Sequence, residues 1–418
     1  MRPVYALLFI LVALLPSAAA DPVSSLLQSV ATSVSNKFNI SVSVAYTSGD
    51  AVQTAAAGFT DAGLGMGVPT RHALVGDRYV WGSTTKMVTA ASVMQLIDKG
   101  IVSLDDMAST HIDPLLLRIN GTKLSDHFGE GIDKVKVRHL LHMTSGLSDY
   151  DGSSYTKAQF NNRTHDFSPI EILSHFVKPL SSHSDPPGTR QRYCSTNYIL
   201  LGLLLTNHLG PKTGSWQDYD QSQVWKGWST SVFPLSGPCQ DYTPVHGFME
   251  GYEGASWLKP QDVINVSCLG GWTAGNYVGP ASDVARFTRE LYRPGGTIIS
   301  KARQAEMIDF SVASSRKSFA FYGMGTFNLN FTTGSKAAYG HVGDTYGYQS
   351  SATYFADLDG ALAVATDAET LSQAQAGDAT CKAYKALAAM AKGKEPPKGC
   401  AFKVYHRFFG SCECDGSE

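Results

Sequence analysis

The chain has 418 residues, of which 43% are hydrophobic and only 17% charged, against roughly 25% charged in an average soluble domain. That balance excludes disorder. A formal charge of −2, from 34 basic and 36 acidic residues, leaves neither the basic surplus of a nucleic-acid binder nor an acidic solvating tail.

In chain order, residues 1–20 read as a signal peptide: Arg2 is the charged region, residues 7–15 are apolar, and Ala18-Ala19-Ala20 supplies the small residues for cleavage. The apolar run is short and has no successor, which predicts a removed leader and no stable membrane insertion. N-x-S/T triplets at Asn39, Asn120, Asn162, Asn265 and Asn330 fit a secreted, extracellular glycoprotein. After the leader, a folded domain is expected over 21–392 and a cysteine-containing tail over 393–418. At this length one core stops growing, so the domain should have two parts.

Residues 40–47 alternate apolar with small or polar residues and predict a half-buried strand. A strong helix follows over 84–99, stopped by Gly100. Further helices are expected at 137–142, 169–177, 199–208 and 283–292, the last with Ser282 as N-cap. Gly- and Pro-rich stretches at 181–189 and 209–254 read as long loops. Residues 349–356 and 361–366 are strand-like around a turn at 357–360, and 378–392 reads as a final helix. Strands at both ends with helices between predict an α+β fold. One antiparallel sheet, built from both chain ends and flanked by helices, would carry a mostly helical inserted lobe. A cleft between sheet and lobe is the natural place for a site.

All seven cysteines lie after the leader. Their odd number leaves at least one outside any disulfide, and Cys194 is the candidate. Cys239 and Cys268 bracket one irregular segment and could staple it. Cys381, Cys400, Cys412 and Cys414 allow three pairings that would pin the tail. A zinc site there lacks a second paired-cysteine knuckle.

The chain has no G-x-S-x-G, H-E-x-x-H, Walker or dinucleotide motif. His139 and His142 are three apart, but no third ligand follows at a metal-site spacing, so packing or capping is expected. S-x-x-K occurs at Ser83, Ser154, Ser256 and Ser314, and only Ser83 opens a long apolar helix. A serine on a first helical turn has free N–H groups and the positive dipole end around it. Lys86, one turn on and on the same face, would be desolvated and could act as a neutral base toward the hydroxyl. The bland alternative is an N-cap serine followed by a surface lysine.

Two more stretches join this motif: 193–198, Tyr-Cys-Ser-Thr-Asn-Tyr, and 339–344, Tyr-Gly-His-Val-Gly-Asp. Together the three resemble the S-x-x-K, Y-x-N and K-T-G or H-x-G motifs of the serine β-lactamase-like hydrolases. That family comprises class C β-lactamases, DD-peptidases, D-aminopeptidases and related esterases. Residues 139–147, His-Leu-Leu-His-Met-Thr-Ser-Gly-Leu, the run 245–248 and the run 271–287 are similar to its connecting segments, so the resemblance covers about 42–366.

The resemblance implies Ser83 as nucleophile, Lys86 as its activating partner and Tyr193 as general base and acid. It implies Ser195, His341, Gly343 and Asp344 for substrate and oxyanion, with the N–H groups of Ser83 and Asp344 forming the oxyanion hole. Gly343 would leave room for substrate along the strand edge. No metal or cofactor is needed. The expected partner is a small-molecule or peptide-like substrate.

Two departures shift the expected substrate. Ser195 replaces the Asn of Y-x-N, which weakens the case for amide or β-lactam cleavage more than for esterolysis; Asn197 could substitute only in a register that gives up Tyr193. His341 replaces the Lys of true β-lactamases and is a weaker carboxylate anchor, or else a structural histidine. The expectation is an ester- or amide-cleaving serine hydrolase working through an acyl-enzyme. The alternative is an impaired pseudoenzyme that binds a ligand or partner.

Overall fold

The computed structural model describes residues 21–60, 71–182, 184–250, 259–311, 322–370, 374–396 and 399–400, leaving the side chains of 331–332 aside. The expected leader and most of the expected tail, with Cys412 and Cys414, lie outside the described residues.

A helix absent from the sequence reading comes first: α1, Pro22–Phe38, is capped by the Asp21 carboxylate, which accepts the Ser24 N–H. Pro22 at its first position and Asn39 in the left-handed region at its end are familiar start and stop chemistry. Strands β1 (Val42–Thr47) and β2 (Gln53–Ala57) follow. Much later come β3 (Phe327–Asn328), β4 (Ala338–Thr345), β5 (Tyr348–Phe355) and β6 (Gly360–Thr366). They form one six-stranded sheet in the order β2-β1-β6-β5-β4-β3, antiparallel throughout. Val44 on β1 lies opposite Val364 on β6, so the two ends of the chain meet at the sheet's centre.

The half-buried reading of β1 needs correction. All six of its residues are buried, Ser43 and Thr47 included. Helix α1 and the closing helix Gln375–Met390 cover one face, and the helix Ala281–Tyr292 covers the other. The small residues between the apolar ones let that second layer approach instead of facing water.

The inserted lobe is built on two helices. Thr85–Asp98, here α2, and Thr196–Leu209, here α3, are apolar nearly all round, as helices at the centre of a lobe are. The helix Ala281–Tyr292 begins two residues before expectation, and its N-cap position is Pro280 rather than Ser282. The buried Asp283 in its first turn accepts hydrogen bonds from Ser229 N and Oγ, Thr230 N and Ser231 Oγ. An anion at the positive helix end thus fastens the following loop. The stretch expected to be loop over 209–254 contains short helical turns at Trp216–Asp218, Gln221–Val224 and Cys239–Tyr242 and a strand at Phe248–Glu250. Cys239–Cys268 staples it, and Cys381–Cys400 ties the closing helix to the start of the tail. Cys194 is a buried thiol outside both bridges. Among the described residues no helix is long and apolar enough to cross a membrane.

Candidate active site

Ser83 sits on the turn Gly82–Thr84 that leads into α2, partly exposed where lobe and sheet meet. Gly82 has φ +53°, and a Cβ on it would stand 2.7 Å from Asp344 O and 3.2 Å from Asp344 N. Only glycine fits there, and it presses the turn onto β4 so that the peptides of Ser83 and Asp344 lie side by side. Thr85 Oγ1 donates to Gly82 O at 2.7 Å and accepts the Tyr277 N–H at 3.0 Å, which locks the turn from beneath.

Lys86 is fully buried. Its Nζ donates to Ser83 Oγ at 2.8 Å and to Ala274 O at 3.0 Å, and lies 5.0 Å from the centre of the Tyr193 ring and 5.8 Å from that of Tyr198. It is not the surface lysine of the bland alternative. The Tyr193 phenol lies beside the Ser83 hydroxyl, and its ring stacks on Phe327 at 5.8 Å. Burial pushes this phenol well above its ordinary pKa of 10, against the pull of the Ser83 hydrogen bond. Tyr193 therefore rests as the neutral phenol.

Ser195 is buried beneath the pocket, and its N–H donates to the Asp149 carboxylate at 2.9 Å. Asn197 does not replace the missing amide. It is fully buried, accepts the Ser145 hydroxyl at 2.5 Å and donates to Cys194 O at 3.1 Å, so both ends of its amide are committed to the fold.

On β4 two expectations change. His341 has no exposure: its Nε2 lies 3.0 Å from the Tyr322 hydroxyl, and Nδ1–H donates to Val342 O. Burial first, and the nearby Lys86 charge second, hold its pKa well below 6.5. It is a neutral packing residue under Tyr193 and Phe327, and cannot anchor a carboxylate. Gly343 leaves no room for a ligand either. A Cβ there would stand 2.0 Å from Trp81 O and 2.3 Å from Ser350 Oγ, so the space it spares is taken by the turn before Ser83. Asp344 does reach the cleft.

That cleft brings together Ser83, Lys86, Ser195 and Asp344. Tyr150, Asp151, Tyr155, Thr345 and Tyr346 share its walls, and the sequence reading missed them. A signal was present: Asp149-Tyr150-Asp151 alternates acid and aromatic directly after the Ser145-Gly146-Leu147 stretch. Burial, with the Asp151 charge second, raises Asp149 to about 7 and pushes Asp344 well above the carboxylate range. Of the two histidines weighed as ligands, His139 Nδ1 accepts the Lys136 N–H and His142 is buried. Among the described residues no group of three His, Cys, Asp or Glu side chains is arranged to hold a metal.

Comparison with known proteins fits this geometry. The beta-lactamase family model matches residues 35–384. Protein flp of Staphylococcus aureus is 27% identical over 130 residues, 31% of this chain, and the match spans 23% of that protein's length. A D-stereospecific amidohydrolase from Streptomyces sp. superposes with a TM-score of 0.63 at 20% identity, over 87% of this chain and 98% of its own. The D-amino acid amidase of Ochrobactrum anthropi SV3, complexed with L-phenylalanine, gives 0.65 at 17% identity, over 89% and 100%. At such identities these two likenesses speak for a shared fold. The family match runs from α1 to the closing helix and takes in the whole cleft, and the chain accordingly belongs to the beta-lactamase family of serine hydrolases.

Proposed function

We propose that the protein is a secreted hydrolase that cleaves an ester or amide through an acyl-enzyme on Ser83. The observation that carries this reading is the pair of contacts on one hydroxyl: Lys86 Nζ at 2.8 Å and the Tyr193 phenol, both out of water. Because Tyr193 rests protonated, the base is Lys86 acting as its free amine. It takes the Ser83 proton as Oγ bonds to the acyl carbon, and the carbonyl electrons move to oxygen. That oxyanion faces the N–H groups of Ser83 and Asp344, where one donor contributes roughly 2.7–4 kcal/mol in comparable sites. Collapse breaks the bond to the leaving alcohol or amine, which takes the Tyr193 proton while Lys86 returns its proton to the phenol. Water then attacks the acyl-enzyme by the same relay in reverse, releasing the acid and restoring the Ser83 hydroxyl.

Ser195 offers a short hydroxyl where a longer amide would grip an acyl-amide carbonyl, which favours esters and activated amides. The leader-like start, the two disulfides and the exposed Asn39, Asn120, Asn162 and Asn265 support secretion. The test is labelling by a fluorophosphonate probe together with p-nitrophenyl ester turnover. Both should be present in the wild type and absent from Ser83→Ala; labelling or turnover retained in that variant overturns the assignment. A wild type that is never labelled would instead favour the pseudoenzyme reading that Ser195 motivates.

A further inference from the structure

Tyr193 owes its place to the residues behind it. Its ring meets the edge of Tyr322 at 5.8 Å and an interplanar angle of 88°, and lies 6.1 Å from the His341 ring. Tyr322 is itself set edge-on against Phe327, at 4.6 Å, and against His341, at 5.6 Å. Apolar contact is non-directional, whereas a hydrogen bond fixes both a distance and an angle. Within this cluster the Tyr322 hydroxyl supplies such a bond, 3.0 Å from His341 Nε2. The Tyr322 backbone is tied to the segment that carries Tyr193: Gln191 Nε2 donates to Tyr322 O at 2.7 Å and to His142 O at 2.9 Å.

Counting hydrogens gives the His341 contact a direction. Val342 O can only accept, so His341 Nδ1 carries the hydrogen between them. A neutral imidazole has one N–H, which leaves Nε2 as an acceptor, and the Tyr322 hydroxyl must donate to it. The Tyr198 hydroxyl gives its own hydrogen to Leu141 O at 3.1 Å and stands 3.4 Å from the Tyr322 oxygen. Tyr198, Tyr322 and His341 are all buried, so water does not compete for these partners. Burial also keeps both phenols and the imidazole uncharged, and the pattern of donors is therefore the same throughout the neutral pH range.

Resting on the hydrolase reading above, we propose that Tyr322 is a positioning residue for the chemistry at Ser83. Its hydroxyl, anchored on the Nε2 acceptor of His341, holds its ring edge against Tyr193 and so keeps the Tyr193 phenol beside Ser83. Tyr322 belongs to none of the three sequence motifs and is not among the described residues that line the cleft, so it acts on the reaction through Tyr193 and not on substrate. The histidine of the third motif then serves catalysis at one remove, as the fixed point from which Tyr322 is hung.

The test begins with Tyr322→Phe, which keeps the ring and deletes the hydroxyl. Turnover of p-nitrophenyl acetate should lose about 10–10²-fold in kcat, the scale of a small displacement of a reacting group, with KM unchanged. The double variant Tyr322→Phe/Tyr193→Phe should be no slower than Tyr193→Phe alone, because the first loss acts only through the second hydroxyl; a merely structural role would add its loss in both backgrounds. Nitrogen NMR of wild-type protein labelled in histidine needs no variant: at pH 7, His341 should carry its hydrogen on Nδ1 and none on Nε2. A hydrogen on Nε2, an unchanged kcat in Tyr322→Phe, or losses that add in the double variant overturns the proposal while leaving the hydrolase reading intact. A wild type that neither reacts with the fluorophosphonate probe nor turns over ester removes the hydrolase reading and the positioning role with it.

Discussion

Lys86 Nζ donates across 3.0 Å to Ala274 O, joining the first turn of α2 to a segment 188 residues further along the chain. The amine is thereby held against Ser83 by two parts of the fold at once. Lys86→Met should lower ester kcat by about 10²–10⁴-fold and leave the protein folded. Stopped p-nitrophenyl acetate assays, with circular dichroism as the folding control, decide it.

Tyr193→Phe keeps the ring on Phe327 and removes the hydroxyl. The expected outcome is a loss of kcat of about 10²–10⁴-fold with little change in Tm. Because burial raises the phenol's pKa in the folded state, the folded form holds its proton more tightly than the unfolded chain does. The resulting stability is complete below pH 10 and is lost as pH rises above it. An ultraviolet titration of wild type against Tyr193→Phe should show no tyrosinate from this residue below pH 10.

Gly82→Ala tests the seam between turn and strand. A Cβ 2.7 Å from Asp344 O, at a φ of +53°, must push the turn off β4. Stability should fall by about 1–3 kcal/mol, and fluorophosphonate labelling of Ser83 should slow by more than its stability loss explains. Denaturant midpoints and labelling rates measured together separate the two effects.

His142 is buried, and its Nδ1 has no hydrogen-bonding partner among the described residues. Burial holds its pKa down to about 4, with the Asp309 carboxylate pulling the other way and Arg138 and His139 adding to the depression. A depressed histidine contributes stability that is complete above pH 6.5 and lost as pH falls toward 4, here on the order of 3 kcal/mol. Between pH 6.5 and 4 the Tm of His142→Gln should fall less steeply than that of the wild type. Parallel slopes would remove His142 from the account.

If the protein is made in a host that glycosylates, the five triplets should not be used alike. Asn39, Asn120, Asn162 and Asn265 are exposed. Asn330 donates to Lys336 O and accepts the Ala338 N–H, so its amide is built into the fold. Mass spectrometry before and after enzymatic deglycosylation should find Asn330 bare.

How much of this was legible in the sequence depends on whether the signal was local. The helix behind Ser83 and the strands around 349–366 carry their own period, and they were found within one or two residues. Helix α1 had its cap in view at Asp21-Pro22, with Leu27, Val30, Ala31 and Val34 at helical spacing, but it abuts an apolar leader that draws the eye. The helix Ala108–Asn120 was hidden by Pro114 in its interior. His341 shows the opposite failure, for a motif gives a residue's position on the strand but not the closing of Tyr322 and Phe327 over it. The acidic wall was least legible. Asp151 and Asp344 come from a loop and from a distant strand, and only the packing of lobe on sheet places their carboxyl groups together.

The meeting of Val44 with Val364 at the centre of the sheet sets a timetable for the molecule. A strand made near the beginning must wait for a partner made near the end, and contacts so far apart in the chain form slowly. The floor against which the serine is braced therefore exists only once almost the whole polypeptide has emerged.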